Sequence, residues 1–172
     1  MQQERPGPMF RVSREIDFCY GHRLLNYEGK CRHLHGHNGL AEITFEAGQL
    51  DRRGMVLDFS EIKEVVSRWI DDHLDHRMIL HRDDPAVPFL RQLGEPMMLL
   101  DANPTAENIA RLIFEHAVAQ GFAPVEVRLW ETPRCCASYV SEASAEGRIF
   151  AQSVPAALRC GEAVYPRVED ES

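Results

Sequence analysis

Apolar and polar residues alternate along several segments of the chain, and this period of two predicts four β-strands. The clearest alternation spans residues 37–47, where Ile43 and Phe45 fall on one face and Thr44 on the other. Such a pattern is typical of an antiparallel strand with one buried face. The same reasoning predicts the other three strands, at residues 10–24, 124–131 and 136–140.

A second repeat, of about 3.6 residues, predicts two helices. The first begins near Asp58, and its apolar face consists of Ile62, Val65, Val66, Trp69 and Ile70. The second begins near Pro104 and ends at Gly121, with an apolar stripe of Ile109, Leu112, Ile113, His116 and Ala117. We interpret His116 as a histidine of the core or its boundary. Three prolines in residues 82–103 favour a long irregular connection.

The order of these elements, β-β-α-α-β-β, predicts an α+β fold. Its sheet would have four antiparallel strands, with both helices on one face. Residues 1–140 would form a single domain. Residues 141–172 have no strong period and are rich in Ala, Ser, Glu and Pro, so we interpret them as an appended tail of uncertain order.

Composition narrows the function classes. A net charge of −8 argues against a protein that wraps nucleic acid, and no apolar run reaches the length of a membrane helix. The first residues lack the apolar stretch of a secretory signal, so a cytoplasmic location is expected. Five cysteines, an odd number, favour reduced thiols over a disulfide framework, and we interpret Cys19 and Cys136, which lie in apolar strand-like contexts, as small core residues.

The segment KCRHLHGHN, residues 30–38, is the strongest chemical signal. If it is extended, one face carries four potential metal ligands: Cys31, His33, His35 and His37. The pair His35 and His37 would project two imidazoles to one side, and a third could come from His33 or from His22. Three histidines with an open fourth position are typical of catalytic zinc. The alternatives are a hydrogen-bonded polar loop and a closed structural zinc with Cys31 as the fourth ligand.

Several motifs together resemble the 6-pyruvoyltetrahydropterin synthase superfamily. They are Gly21-His22-Arg23-Leu24, Cys31-x-x-x-His35-Gly36-His37, Leu74-Asp75-His76, Pro104 to Asn108 (PTAEN) and Glu131-Thr132. The likeness covers roughly residues 10–140, and the motifs fall in the family's order. It implies the tunnelling fold, in which sheets of several subunits join into a barrel. It also implies a homo-oligomer, commonly a hexamer, with active sites between subunits.

The resemblance also implies roles for individual residues. His22, His35 and His37 would bind Zn²⁺, which leaves His33 as a loop residue near the substrate. Cys31 would be a catalytic base, Asp75 and His76 a catalytic pair, and Glu131 the pterin anchor. Further residues expected near the substrate are Thr105 and Glu107 beside the pterin, and the local basic residues Arg23, Lys30 and Arg32 beside the triphosphate.

The three residues between Cys31 and His35 resemble the bacterial 6-carboxytetrahydropterin synthases of queuosine biosynthesis. The implied reaction converts 7,8-dihydroneopterin triphosphate to 6-carboxy-5,6,7,8-tetrahydropterin, acetaldehyde and triphosphate. The alternatives are a 6-pyruvoyltetrahydropterin synthase acting on the same substrate and a non-catalytic zinc- or pterin-binding homologue. Neither nucleic acid nor a membrane is expected as a partner.

Overall fold

A computed structural model describes residues 9–141, which form one six-stranded sheet with the two long helical segments packed on one face and a short helix against the other. The strands are β1 (Phe10–His22), β2 (His35–Ala47), β3 (Arg77–His81), β4 (Met97–Leu100), β5 (Glu126–Thr132) and β6 (Cys135–Val140). The helices are α1 (Phe59–Ile62), which continues through a π-helical turn (Lys63–Ser67) into α2 (Arg68–His73), then α3 (Val87–Gln92) and α4 (Ala106–Ala119). The tail predicted at residues 141–172 lies outside the described residues, apart from Ser141.

The α+β class is confirmed, whereas the prediction of four antiparallel strands is wrong. The strand order is β4-β3-β1-β2-β5-β6. β1 pairs with β2, β2 with β5 and β5 with β6 in antiparallel fashion, but β3 pairs parallel to both β1 and β4. β3 and β4 have only five and four residues, too few to show an alternation. Residues 82–103, predicted to be irregular, contain α3 and β4.

The hydrophobic core lies between the sheet and the helices. Its sheet side includes Ile16, Phe18, Tyr20, Ala41, Ile43, Phe45, Val127 and Leu129, and its helix side includes Ile62, Val66, Ile70, Ile109 and Ile113. His116 is buried and stacks on Trp69 with ring centroids 4.2 Å apart, so the interpretation of His116 as a core histidine is confirmed. Among residues 9–141, every helix is too short or too polar to cross a bilayer.

Side-chain caps fix where the two long helical segments begin. Asp58 caps α1 by accepting a hydrogen bond from the main-chain N–H of Ser60, close to the predicted start. Thr105 caps α4 by accepting from the N–H of Asn108, so Pro104 precedes the helix instead of occupying its first turn. This cap leaves the Pro104 carbonyl oxygen able to accept a hydrogen bond from His22, the last residue of β1.

Candidate functional site

Three histidines converge at the end of the β1–β2 ribbon. His22 is the direct cross-strand partner of His35, and Tyr20 is the partner of His37. Side chains alternate along each strand, so His22, His35 and His37 share the face that packs against the helices. One ring nitrogen from each lies within 4.8 Å of the other two, a spacing that allows all three to bind one metal ion.

Hydrogen bonds on the far side of two rings determine their tautomers. His22 Nδ1 lies 2.7 Å from the Pro104 carbonyl oxygen, and His35 Nδ1 lies 2.7 Å from the His33 carbonyl oxygen. A carbonyl only accepts, so each Nδ1 must donate and each Nε2 carries a lone pair. These two Nε2 atoms face each other at 3.1 Å with no proton between them. Opposed lone pairs at this distance fit a shared cation, and the carbonyl contacts are the support that metal-binding histidines usually have.

A glycine lets the two strands approach closely beside these rings. Gly36 lies opposite Gly21 in the ribbon, between the two histidines of the H-x-H pair. A Cβ added at Gly36 would lie 2.8 Å from the Tyr20 carbonyl oxygen, which belongs to the main chain and cannot easily move. The glycine of the HGH motif therefore maintains the strand spacing that sets the distance between imidazoles.

Glu131 lies beside the histidines from the neighbouring part of the sheet. Its Oε1 accepts a hydrogen bond from the Tyr20 hydroxyl at 3.3 Å and lies 3.8 Å from His22 Nε2. Burial, followed by the nearby Glu131 carboxylate, raises the pKa of Tyr20, so its hydroxyl stays protonated and donates. Burial lowers the pKa of His22, which favours the neutral ring that a metal requires. Glu131 thus lies near the ring nitrogens with its second oxygen able to accept from a ligand.

Cys31 lies on a 3-10 turn, Lys30–Arg32, in the loop that joins β1 to β2. The assumption of an extended segment is therefore wrong before His35, and period-two alternation does not place Cys31 and His33 with the other two. The turn is attached to the end of β1 because the Leu24 N–H donates to the Cys31 carbonyl oxygen at 2.8 Å. Cys31 is a free, half-buried thiol.

Asp75 and His76 form a hydrogen-bonded pair where the chain passes from α2 to β3. His76 Nδ1 donates to Asp75 Oδ2 at 2.7 Å, and the other carboxylate oxygen accepts from the Cys19 N–H at 2.7 Å. Burial alone would raise the pKa of Asp75, but these hydrogen bonds bring it below its ordinary value. The carboxylate stays ionised at neutral pH and leaves His76 Nε2 as the basic atom of the ring.

The backbone of His76 supports a functional interpretation of this pair. Its φ is 54°, a left-handed conformation that costs a non-glycine residue about 1–3 kcal/mol. The His76 N–H donates to the Cys19 carbonyl oxygen at 2.6 Å, which holds the residue against the edge of β1. The side chain of His76 is nevertheless 79% exposed, compared with 3% for His22.

The Asp75–His76 pair and the three histidines lie on opposite sides of β1. The Cys19 thiol approaches the ligand atoms of Asp75 and His76 to within 4.8 Å. Cys19 precedes Tyr20, so its side chain points away from the face that carries Tyr20 and His22. The side chains of the two predicted groups therefore lie on opposite faces of β1 in a single chain, although His35, His37 and His76 all line one open groove.

The basic residues predicted near the triphosphate have different surroundings. Arg23 donates through two nitrogens to the carboxylate of Asp84, whose side chain is fully buried. The contact from Arg23 Nε to Asp84 Oδ2 is 2.7 Å long. Lys30 is exposed on the 3-10 turn, and Arg32 Nε donates to His33 Nε2 at 3.2 Å. A surface depression of about 530 Å³ is lined by Arg23 and Arg32 together with His33, at the mouth of this loop.

The PTAEN segment supports the site through hydrogen bonds of its main chain and of the Asn108 side chain. Thr105 is used as a helix cap, and Glu107 is exposed in the first turn. Asn108 donates to the Asn103 carbonyl oxygen at 2.8 Å, and the Asn103 side chain makes two hydrogen bonds to the main chain of Leu25. This network fixes the chain after β1 next to the Pro104 carbonyl that binds His22.

Sequence reasoning missed three residues that shape the site. Cys19 was interpreted as a core residue together with Cys136, but Cys19 lies beside Asp75 and His76, and Cys136 is exposed. Asp84 and Asn103 fall in the segment predicted to be irregular, where no periodicity pointed to them. A cysteine one residue before the Tyr-Gly-His run was the only available signal for Cys19.

Comparison with known proteins identifies the relatives of this chain. A family model described as 6-pyruvoyl tetrahydropterin synthase matches residues 11–142. A protein named 6-carboxy-5,6,7,8-tetrahydropterin synthase from Rickettsia felis is 39% identical, over 74% of this chain and 97% of its own. One of the same name from Haemophilus influenzae is 34% identical, over 76% of this chain and 99% of its own.

Solved structures show the same fold. A Wolinella succinogenes protein superposes with a TM-score of 0.68 at 29% identity, over 78% of this chain and 99% of its own. The 6-pyruvoyl tetrahydropterin synthase of Caenorhabditis elegans superposes with a TM-score of 0.56 at 26% identity, over 78% of this chain and 97% of its own.

Proposed function

Because the chain belongs to the 6-pyruvoyl tetrahydropterin synthase family and has its tunnelling fold, we propose that it is a 6-carboxy-5,6,7,8-tetrahydropterin synthase of queuosine biosynthesis. It converts 7,8-dihydroneopterin triphosphate to the carboxypterin with release of acetaldehyde and triphosphate. The observation that carries this proposal is the 34–39% identity to relatives of that name over nearly their whole length.

His22, His35 and His37 would hold a zinc ion, since they supply three neutral imidazoles whose free nitrogens converge. Once bound, zinc would polarise the side-chain oxygens of the substrate and stabilise negative charge on them. Pro104 and His33 contribute carbonyl oxygens that orient two of the rings. The closed structural site with Cys31 as fourth ligand receives no support, because Cys31 does not belong to the group of convergent ligand atoms.

Cys31 and the Asp75–His76 pair would move protons between the substrate side chain and the pterin ring. A thiolate is an effective base when it is held beside the reacting carbon. Asp75 keeps the tautomer of His76 that presents Nε2 outward, so this atom can accept a proton or return one.

Glu131 would anchor the pterin. A carboxylate can accept two parallel hydrogen bonds from the aminopyrimidinone edge, which fixes the orientation of the ring. The Tyr20 hydroxyl restrains one of its oxygens close to His22. Thr105 and Glu107 lie at the start of α4, near this site through the Pro104 contact, and we retain them as more distant neighbours of the pterin.

Two copies of the chain would complete each active site. His22 and the Asp75–His76 pair lie on opposite sides of β1, so a substrate bound at the histidines of one subunit would need the His76 of another. Both edge strands, β4 and β6, also offer unpaired main-chain groups that a neighbouring subunit can pair. We propose a homo-oligomer with six subunits, as is common in the family.

The triphosphate would lie over the loop between β1 and β2. Lys30 and Arg32 are available there as cations, and a local positive cluster can bind an anion although the whole chain carries −8. Arg23 lines the same depression, but Asp84 already balances its charge. Its contribution would be to hold the loop in position.

The second candidate is a 6-pyruvoyltetrahydropterin synthase, which the superposition on the Caenorhabditis elegans enzyme favours. A non-catalytic homologue is the third, although a binding protein has no need for the Asp75–His76 pair with its costly backbone. Incubation of the purified protein with zinc and 7,8-dihydroneopterin triphosphate separates the three. We expect acetaldehyde and the carboxypterin; a pyruvoyl product without acetaldehyde identifies the second candidate, and unchanged substrate the third.

A further inference from the structure

A second group of metal-binding atoms lies outside the three histidines. Cys19, Asp75 and His76 contribute a sulfur, a carboxylate oxygen and a ring nitrogen that all lie within 4.8 Å of one another. These atoms come from two segments, the end of β1 and the α2–β3 connection. The main-chain contacts of Cys19 with Asp75 and His76 hold the segments together.

The chemistry of the three ligands selects a particular class of cation. Thiolate and imidazole together favour zinc over magnesium or calcium, which prefer oxygen ligands. In a tetrahedral zinc site with bonds of about 2.0–2.3 Å, ligand atoms lie roughly 3.3–3.7 Å apart. The three atoms lie within 4.8 Å of one another, so a modest movement of side chains, above all of the exposed His76 ring, would bring them to that spacing.

The present hydrogen bonds show what a cation would replace. His76 shares a proton with Asp75 across 2.7 Å, and the Cys19 thiol donates to Asn38 Oδ1 at 3.1 Å. Each proton lies where a metal-ligand bond would form. Binding of a divalent cation would release the thiol proton to solvent and replace the Asp75–His76 hydrogen bond, with the ring proton moving from Nδ1 to Nε2 of His76 and Asn38 or water as fourth ligand. Cys19 and His76 line an open groove of about 690 Å³ that also contains Asn38.

We propose that Cys19, Asp75 and His76 form a second zinc site, on the face of β1 opposite His22. Zinc there binds both His76 and its carboxylate partner and leaves Nε2 protonated, so it inhibits the reaction by removing the proton-transferring pair. The inhibition, but not the binding, rests on the proposed function. A thiol next to the Asp–His pair thus makes the synthase sensitive to excess zinc.

Zinc titration of the metal-free full-length protein, followed by calorimetry, tests the binding. We expect two equivalents for the unmodified chain and one for Cys19→Ser and for His76→Ala. His22→Ala should lose the other equivalent and keep this one. Cys136→Ser, which removes another thiol from the same sheet, is the matched control and should retain two. One equivalent in the unmodified chain, or a second that persists in Cys19→Ser, overturns the proposal.

Cobalt substitution assigns the sulfur directly. Co²⁺ bound to a thiolate shows a charge-transfer absorption that an all-histidine site lacks, and we expect it from the second equivalent in the unmodified chain and in Cys31→Ala. The absorption should be absent in Cys19→Ser; its presence there contradicts the site. Excess Zn²⁺ should inhibit the unmodified enzyme and leave the turnover of Cys19→Ser unchanged. If the chain has no synthase activity, the titration and the spectra still decide the binding.

Discussion

The two sides of β1 at its C-terminal end present histidine in opposite ways. On the helix side, His22 is 3% exposed and its Nδ1 is fixed by the Pro104 carbonyl. On the other side, His76 is 79% exposed and is fixed only by Asp75 and by the main chain of Cys19. His22 is enclosed by partners of its own chain, whereas the ring of His76 projects into solvent from the open face of the sheet.

Burial and strand register bring the three convergent histidines together, whereas a turn alone orients the exposed His76. Three rings converge because β1 and β2 pair in one register, and a shift of one residue would send His35 and His37 to the other face. His76 depends on no strand register. Its orientation comes from a left-handed turn and a carboxylate, and its ring stays exposed.

Loss of a buried ligand should have the largest effect. His22→Ala removes one of three imidazoles and leaves the Pro104 carbonyl without its donor, so the zinc bound at the three histidines should fall from about one equivalent to nearly none, whatever zinc binds elsewhere. Synthase activity should fall by at least about 100-fold. Metal analysis and turnover of the refolded, dialysed protein measure both effects.

His33→Ala is the control for that change. His33 belongs to the same motif, but its ring contacts Arg32, and only its carbonyl oxygen supports His35. Alanine keeps that carbonyl, so zinc content should remain near the unmodified level. Equal zinc loss in both variants would show that the ligand set is wrong.

Mixing two inactive variants tests whether the two sides of β1 belong to different active sites. Cys31→Ala and His76→Ala should each lower turnover by about 10²–10⁴-fold. If an active site takes Cys31 from one subunit and His76 from another, random assembly of equal amounts leaves about a quarter of the sites intact. Activity should therefore recover toward a quarter of the unmodified value after joint unfolding and refolding. A mixture that stays inactive would place both residues in one chain.

The sequence predicted the centre of the molecule better than its periphery. Alternation around Ile43 and the helical stripe at Ile109 are strong because each element has one continuous buried face. β3 and β4 could not be found this way, because strands of five and four residues are too short to show a period. Their pairing is determined by neighbours distant in sequence.

The same limit applies to the site. His35 and His37 are adjacent in the motif, but His22 joins them only through strand pairing, and the resemblance supplied it before the structure did. Period-two alternation does not predict the 3-10 turn at Cys31. Asp84 was missed because its role depends on Arg23, which is 61 residues away in the chain. Local patterns predict elements and motifs, whereas long-range partners require the fold.

His116 separates burial from metal binding and should produce the smallest effect. It is buried like His22, but it stacks on Trp69 and lies near His73 instead of among convergent imidazoles. Burial lowers its pKa to about 4, below the ordinary value of 6.5 that the unfolded chain retains. The unfolded state therefore binds the proton more readily, so stability is present above pH 6.5 and is lost as pH falls toward 4. Between pH 7 and pH 5 this should cost about 2 kcal/mol of unfolding free energy.

His116→Phe keeps a ring on Trp69 and removes the titration, so the unfolding free energy of that variant, measured with urea, should change correspondingly less over this interval. An equal loss in both proteins would assign the acid sensitivity to other groups, His22 first among them.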